Sequence, residues 1–132
     1  MKRLNIRKYL KNQKGSQLIE FVAVFPMVIF AMLFIWQMAL VAYTVVVSEA
    51  AARDGARVAS VKGDYQATVQ KSASGLDVQA SHGYGSSSYG EEVTVTVTSK
   101  VPTVSIPFVG RIDYSLDADA TMPMEEDEAD ED

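Results

Sequence analysis

The chain has 132 residues, 48% of them apolar and 22% charged, with a formal net charge of −5 and no cysteine. This length suits one small domain, and the charge argues against a generic nucleic-acid binder. The lack of cysteine excludes disulfides, thiolate metal sites and cysteine nucleophiles. His82 is the single histidine, so metal and acid–base sites built on histidine are poorly supplied, and no cofactor is expected.

A near-zero mean hydropathy conceals three regimes. The leader, residues 1–15, carries Lys2, Arg3, Arg7, Lys8, Lys11 and Lys14 and no acid. Residues 21–48 carry no charge at all, and residues 125–132 form an acidic tail, expected to be a disordered, solvating segment.

The run Phe21–Val47 is longer than the ~20 apolar residues a bilayer core demands. It is apolar on all sides, interrupted only by Gln37 and Thr44. Too little protein remains to bury every face of such a helix, so the run reads as a membrane span. Six basic residues precede it and only Arg53, Arg57 and Lys62 follow closely. That asymmetry places the N-terminus in the cytoplasm and the bulk of the chain outside. A cleaved secretory signal fits poorly, because the first small-residue cluster, Ala50–Ala52, follows a full span. Gln37, which could hydrogen-bond across helices, marks an interaction face and no more. Pro26 lies about six residues into the run, where a local kink or melted turn is expected.

The helix is expected to continue to about Val61, ~45 residues or ~68 Å, longer than a bilayer needs. Glu49, Arg53 and Arg57 recur every four residues as a charged stripe. Val47, Ala51, Gly55 and Val58 form a small, smooth opposite face. It suits close approach by a sheet of the same chain or by a neighbouring subunit.

Residues 63–124 read as a small extracytoplasmic domain. Gly63 ends the long helix, Asp64 caps a short one, and Tyr65, Val69 and Ala73 share its inner face before Gly75. LDVQAS alternates, while Ser81–Gly90, SHGYGSSSYG, reads as a loop in which His82 is solvated. Tyr84 and Tyr89 are then ordinary loop aromatics, with contact residues at an exposed tip as the alternative. Val93, Val95 and Val97 alternate with Thr94, Thr96 and Thr98 in one strand. In a second, Ile112, Tyr114, Leu116, Ala118 and Ala120 oppose Asp113, Ser115, Asp117, Asp119 and Thr121. Pro102, Pro107 and Gly110 break the chain between them. The expected class is α+β: a long N-terminal helix over residues 16–62, a short helix, and a two- to three-stranded antiparallel sheet.

Glu20 is the one acid at the edge of the apolar run, five residues after Gly15. An ionisable group in a membrane is costly, so either Glu20 snorkels to the headgroups or it has a task. If the chain were cut after Gly15, Ser16 would gain an α-amine one helical turn from Glu20. The two charges could then pair within a chain or between neighbours and fix axial register in an apolar assembly.

These residues resemble a family. Gly15, Glu20, Phe21 and Pro26, followed by Ala51, Arg53, Gly55, Ala56 and Arg57 past the span, are similar to the TadE-like minor pseudopilins of the tight-adherence pilus system. The resemblance covers residues 15–62 well and the remainder in outline. Phe21 stands where the major pilins of that system more often have Tyr, which favours a minor subunit. The acidic tail is not a feature of the family.

The resemblance implies a structural subunit without catalysis, anchored by one span in the cytoplasmic membrane. It implies cutting by a prepilin peptidase between Gly15 and Ser16, and Glu20 as the assembly carboxylate. Its implied partners are that peptidase, other pilins and pseudopilins, a membrane platform with its ATPase, and the lipid bilayer, with no nucleic acid. The rival is a permanently anchored extracytoplasmic scaffold or binding protein in which Gly15 is incidental.

Overall fold

A computed structural model of the chain describes residues 13–105 and 110–125. The basic leader before Gln13, Pro107 and the acidic tail beyond Glu125 lie outside the described residues. Helix α1 spans Gln13–Ser60 and helix α2 Tyr65–Ser72, followed by strands β1 (Val78–Ser87), β2 (Gly90–Lys100) and β3 (Ser115–Pro123). The sheet is antiparallel with order β1–β2–β3. The α+β class and the three-stranded limit of the expectation are both realised. The chain divides into two compact units inside α1, between Trp36 and Gln37.

In the first unit the large apolar side chains of α1, among them Leu18, Ile19, Phe25, Met27, Phe30 and Phe34, are exposed. The stretch is long and apolar enough to cross a membrane. Helix α1 runs unbroken through Pro26, so the melted turn expected there does not form.

In the second unit the sheet lies against α1. Ala51, Ala52, Ala56 and Ala59 of α1, Val69 of α2 and Ala73 just after it, Val78 of β1 and Val93, Val95 and Val97 of β2 make the buried core. Leu76, Ala80, Ala118, Ala120 and Met122 pack half-buried around it. The alternation of Val and Thr on β2 sorts one apolar set to the helix side, as a period of two demands.

Gly55 is buried at the centre of this packing. A Cβ there would lie 2.6 Å from Val69 Cγ2 and 3.2 Å from Val95 Cγ1, so the closeness of the layers depends on its absence. Helix α1 ends when Lys62 N–H donates to Ala59 O (3.0 Å) and Gly63 N–H to Val58 O (2.9 Å). Lys62, not Gly63, takes the positive φ of 55°. Gly63 is needed for room: its Cβ would meet Val58 Cγ1 at 2.7 Å. Asp64 then caps α2 by accepting from Ala67 N–H at 3.1 Å.

Two readings of the sequence are corrected. Residues 81–87 are not a loop: they pair with β2 down to Ser87–Gly90, and only Ser88 and Tyr89 form the turn. Most of this arm is exposed on both faces, so no alternating apolar pattern announced it. Strand β3 starts at Ser115, so Ile112 and Tyr114 precede it and are exposed. The pattern of two extends there, but the ladder with β2 ends at Lys100–Ser115.

Gly55→Ala gains helix propensity but forces Val69 and Val95 apart. The expected outcome is a net loss of ~1–3 kcal/mol, the usual range for overpacking. It is read from chemical unfolding of the full chain in detergent.

Candidate functional site

The residues singled out along α1 occupy two settings. Gly15, Ser16, Glu20 and Phe21 are helical and exposed, and no atom outside its own helix backbone lies within 4 Å of where a Cβ on Gly15 would be. Ser16 and Glu20 stand at i, i+4 spacing, which puts both on one side of the helix. The Phe21 and Phe25 rings stand 6.0 Å apart, and Pro26 follows. Past the first unit, Ala51 and Gly55 are buried against the sheet and Val58 is half-buried. Arg53 and Glu49 form an exposed i,i+4 ion pair at 3.3 Å on the outward side, with Arg57 exposed beyond them.

A column of polar contacts joins α1 to the sheet, and sequence reasoning missed it. Thr44 Oγ1 donates to Leu40 O at 2.9 Å. Ser48 Oγ lies 2.6 Å from Thr44 O and 2.6 Å from Ser99 Oγ on β2. Thr44, Ser48 and Ser99 are fully buried, and no buried side-chain polar atom among the described residues lacks a partner. Buried hydroxyls that satisfy one another allow a single register of helix against strand, because any slip strands them.

Gln37 extends the column. Its Nε2 donates to Pro102 O (3.2 Å) and its Oε1 accepts from Val104 N–H (3.1 Å), so one amide grips the connection after β2 on both sides. The interaction face that Gln37 marks is thus with backbone of its own chain. A lone amide in an apolar run was the signal; its partner was not legible.

At the level of β2's end, Lys100 Nζ bonds Asp77 Oδ2 at 2.8 Å, exposed to solvent. The hydrogen bond to Asp77 first, and its charge second, raise the pKa of Lys100 above the ordinary lysine value. Whatever stability this lends is complete below the unfolded lysine pKa and is lost as pH rises through the folded one. His82 is also placed differently than expected. It lies on β1 with Nδ1 2.8 Å from Tyr65 Oη, and its ring meets those of Tyr65 and Tyr84 edge-on at 4.8 and 5.0 Å.

Residues 15–57 match the family model described as TadE-like protein. The match covers the first unit's apolar helix and the small-residue face through Arg57, about a third of the chain. No curated protein and no solved structure is significantly similar to the chain.

Ser48→Ala leaves the Ser99 hydroxyl buried without its partner, and a loss of ~1–3 kcal/mol is expected. The double variant Ser48→Ala, Ser99→Ala is expected to cost less than the two single losses added together, measured as a double-mutant cycle in detergent.

Proposed function

We propose that the chain, TadE-like over residues 15–57, is a minor pseudopilin: a structural subunit of a tight-adherence pilus or a related secretion apparatus, without catalysis of its own. The observation that carries this reading is where the match begins. It starts at Gly15 and takes in Glu20, Phe21 and Pro26 ahead of the exposed apolar helix.

In this reading the precursor is held in the cytoplasmic membrane by α1, with its basic leader inside and its domain outside. A prepilin peptidase cuts between Gly15 and Ser16. The cut creates a cation at the start of a helix with Glu20 one turn away. In an apolar assembly neither charge is tolerated alone, and pairing them satisfies both. Glu20 would then set the register at which this subunit joins other pilins and the assembly platform. The outward Glu49–Arg53 pair and the Tyr89 tip of the β1–β2 hairpin, 94% exposed, are left for the outer surface of the assembly.

Intact-mass measurement of the protein from its native membrane is expected to give a chain beginning at Ser16, and Gly15→Ala to abolish that product. A chain that still begins at Met1 beside an active peptidase contradicts the proposal and favours a permanently anchored scaffold. Glu20→Gln is expected to leave anchoring and cutting intact. Incorporation into filaments should fall ~100-fold or more, the scale of leaving one buried charge unpaired.

A further inference from the structure

The apolar run Phe21–Val47 suggests a span centred near Phe34, but the contacts of Gln37 are incompatible with that placement. Ser99 touches Ser48, and Val104, five residues on, touches Gln37, eleven residues back along α1. Five extended residues and eleven helical ones both cover ~17 Å. The connection after β2 therefore runs straight down the helix as far as Gln37.

Residues 101–105 belong to neither a helix nor a strand, and Pro102 and Ser105 are exposed. Irregular backbone is not tolerated facing lipid in the hydrocarbon core, because its polar groups find no water there. At the connection's start stands the charged pair of Lys100 and Asp77. A bilayer with a ~30 Å core centred near Phe34 would draw the part of the connection held by Gln37 into hydrocarbon, with the charged pair close above it.

We propose that the hydrocarbon core ends at Gln37, so that Ser16–Trp36 make the span, and that the connection gripped by Gln37 rests in the adjoining headgroup layer through Ile112 and Tyr114. Twenty-one helical residues cover ~31 Å, which matches a ~30 Å core. Trp36, the only tryptophan, falls at the interface, the depth its amphipathic ring favours. Tyr114 is tied to the connection by its carbonyl, which accepts from Val101 N–H at 2.9 Å. Tyr114 and Ile112 are 56% and 61% exposed, an aromatic and an aliphatic side chain suited to the headgroup layer, with the opposite charges of Arg111 and Asp113 beside them. Glu20 then lies within ~6 Å of the opposite edge of the core, close enough to reach headgroups. Met38 and Tyr43, exposed on α1 beyond Gln37, fall in the headgroup layer rather than at mid-bilayer.

The inference rests only on the reading of α1 as a membrane span, not on peptidase cutting. It is tested with the full chain in vesicles of phosphatidylethanolamine and phosphatidylglycerol that carry nitroxide quenchers at known depths. The single tryptophan and the absence of cysteine give clean probes. Trp36 fluorescence is expected to be quenched ~twofold or more better by a label near the headgroups than by one at mid-bilayer. Fluorophores on Ile112→Cys and Tyr114→Cys should be quenched by the same shallow label, and one on Tyr89→Cys by neither. Strongest quenching of Trp36 at mid-bilayer, or probes at 112 and 114 as remote from lipid as that at 89, would overturn the placement. A chain that separates from the vesicles on flotation would overturn the span itself.

Discussion

A sheet approaches a helix only as closely as the side chains between them allow, and here a stripe of alanine around Gly55 sets that distance. Val69 and Val95 occupy the space a Cβ on Gly55 would need. With the layers this close, Ser48 and Ser99 come within hydrogen-bonding distance and Val93, Val95 and Val97 lose all contact with solvent. Apolar burial supplies the general attraction, which tolerates sliding. The hydroxyl column and the amide of Gln37 supply direction, since each must find its own partner. A small domain without disulfides thereby gains one defined seat on its helix.

Helix α1 consequently meets two different demands with one continuous backbone. Up to Trp36 its side chains are large, apolar and exposed, as a lipid-facing surface requires. From Gln37 onward one stripe is small or hydrogen-bonded and belongs to a folded core, while the charged stripe of Glu49 and Arg53 faces water. For the filament subunit proposed above, this division would be useful. The lower part can exchange lipid for other apolar helices, and the domain's internal contacts need not change when it does.

Much of this was legible in the sequence. The charge-free run, the small face around Ala51 and Gly55, the Asp64 cap and the Val/Thr alternation of β2 each follow from a local rule, and each element formed. The misses have a common cause: the signal was in a partner far along the chain. Residues 81–87 carry glycine and serine with little strand propensity, and they are strand because β2 pairs with them. Ile112 and Tyr114 continue an alternation whose ladder had already ended. His82 gains Tyr65 as a neighbour only once α2 and β1 are packed. Gln37 and Ser48 gave no hint of their partners 51 to 67 residues away. Of the residues proposed to act, Gly15 and Glu20 were conspicuous by charge and spacing, whereas the column that seats the domain was hidden among ordinary hydroxyls.

The central claim is that the sheet sits on its own helix in the register set by Ser48 and Ser99. Because the chain has no cysteine, the pair Ser48→Cys, Ser99→Cys tests this directly in the whole chain purified in detergent. Mild oxidation is expected to give a nearly complete crosslink within single chains, seen as a faster-migrating monomer that reverts on reduction. Crosslinks formed only between chains, or none at all, would contradict the account.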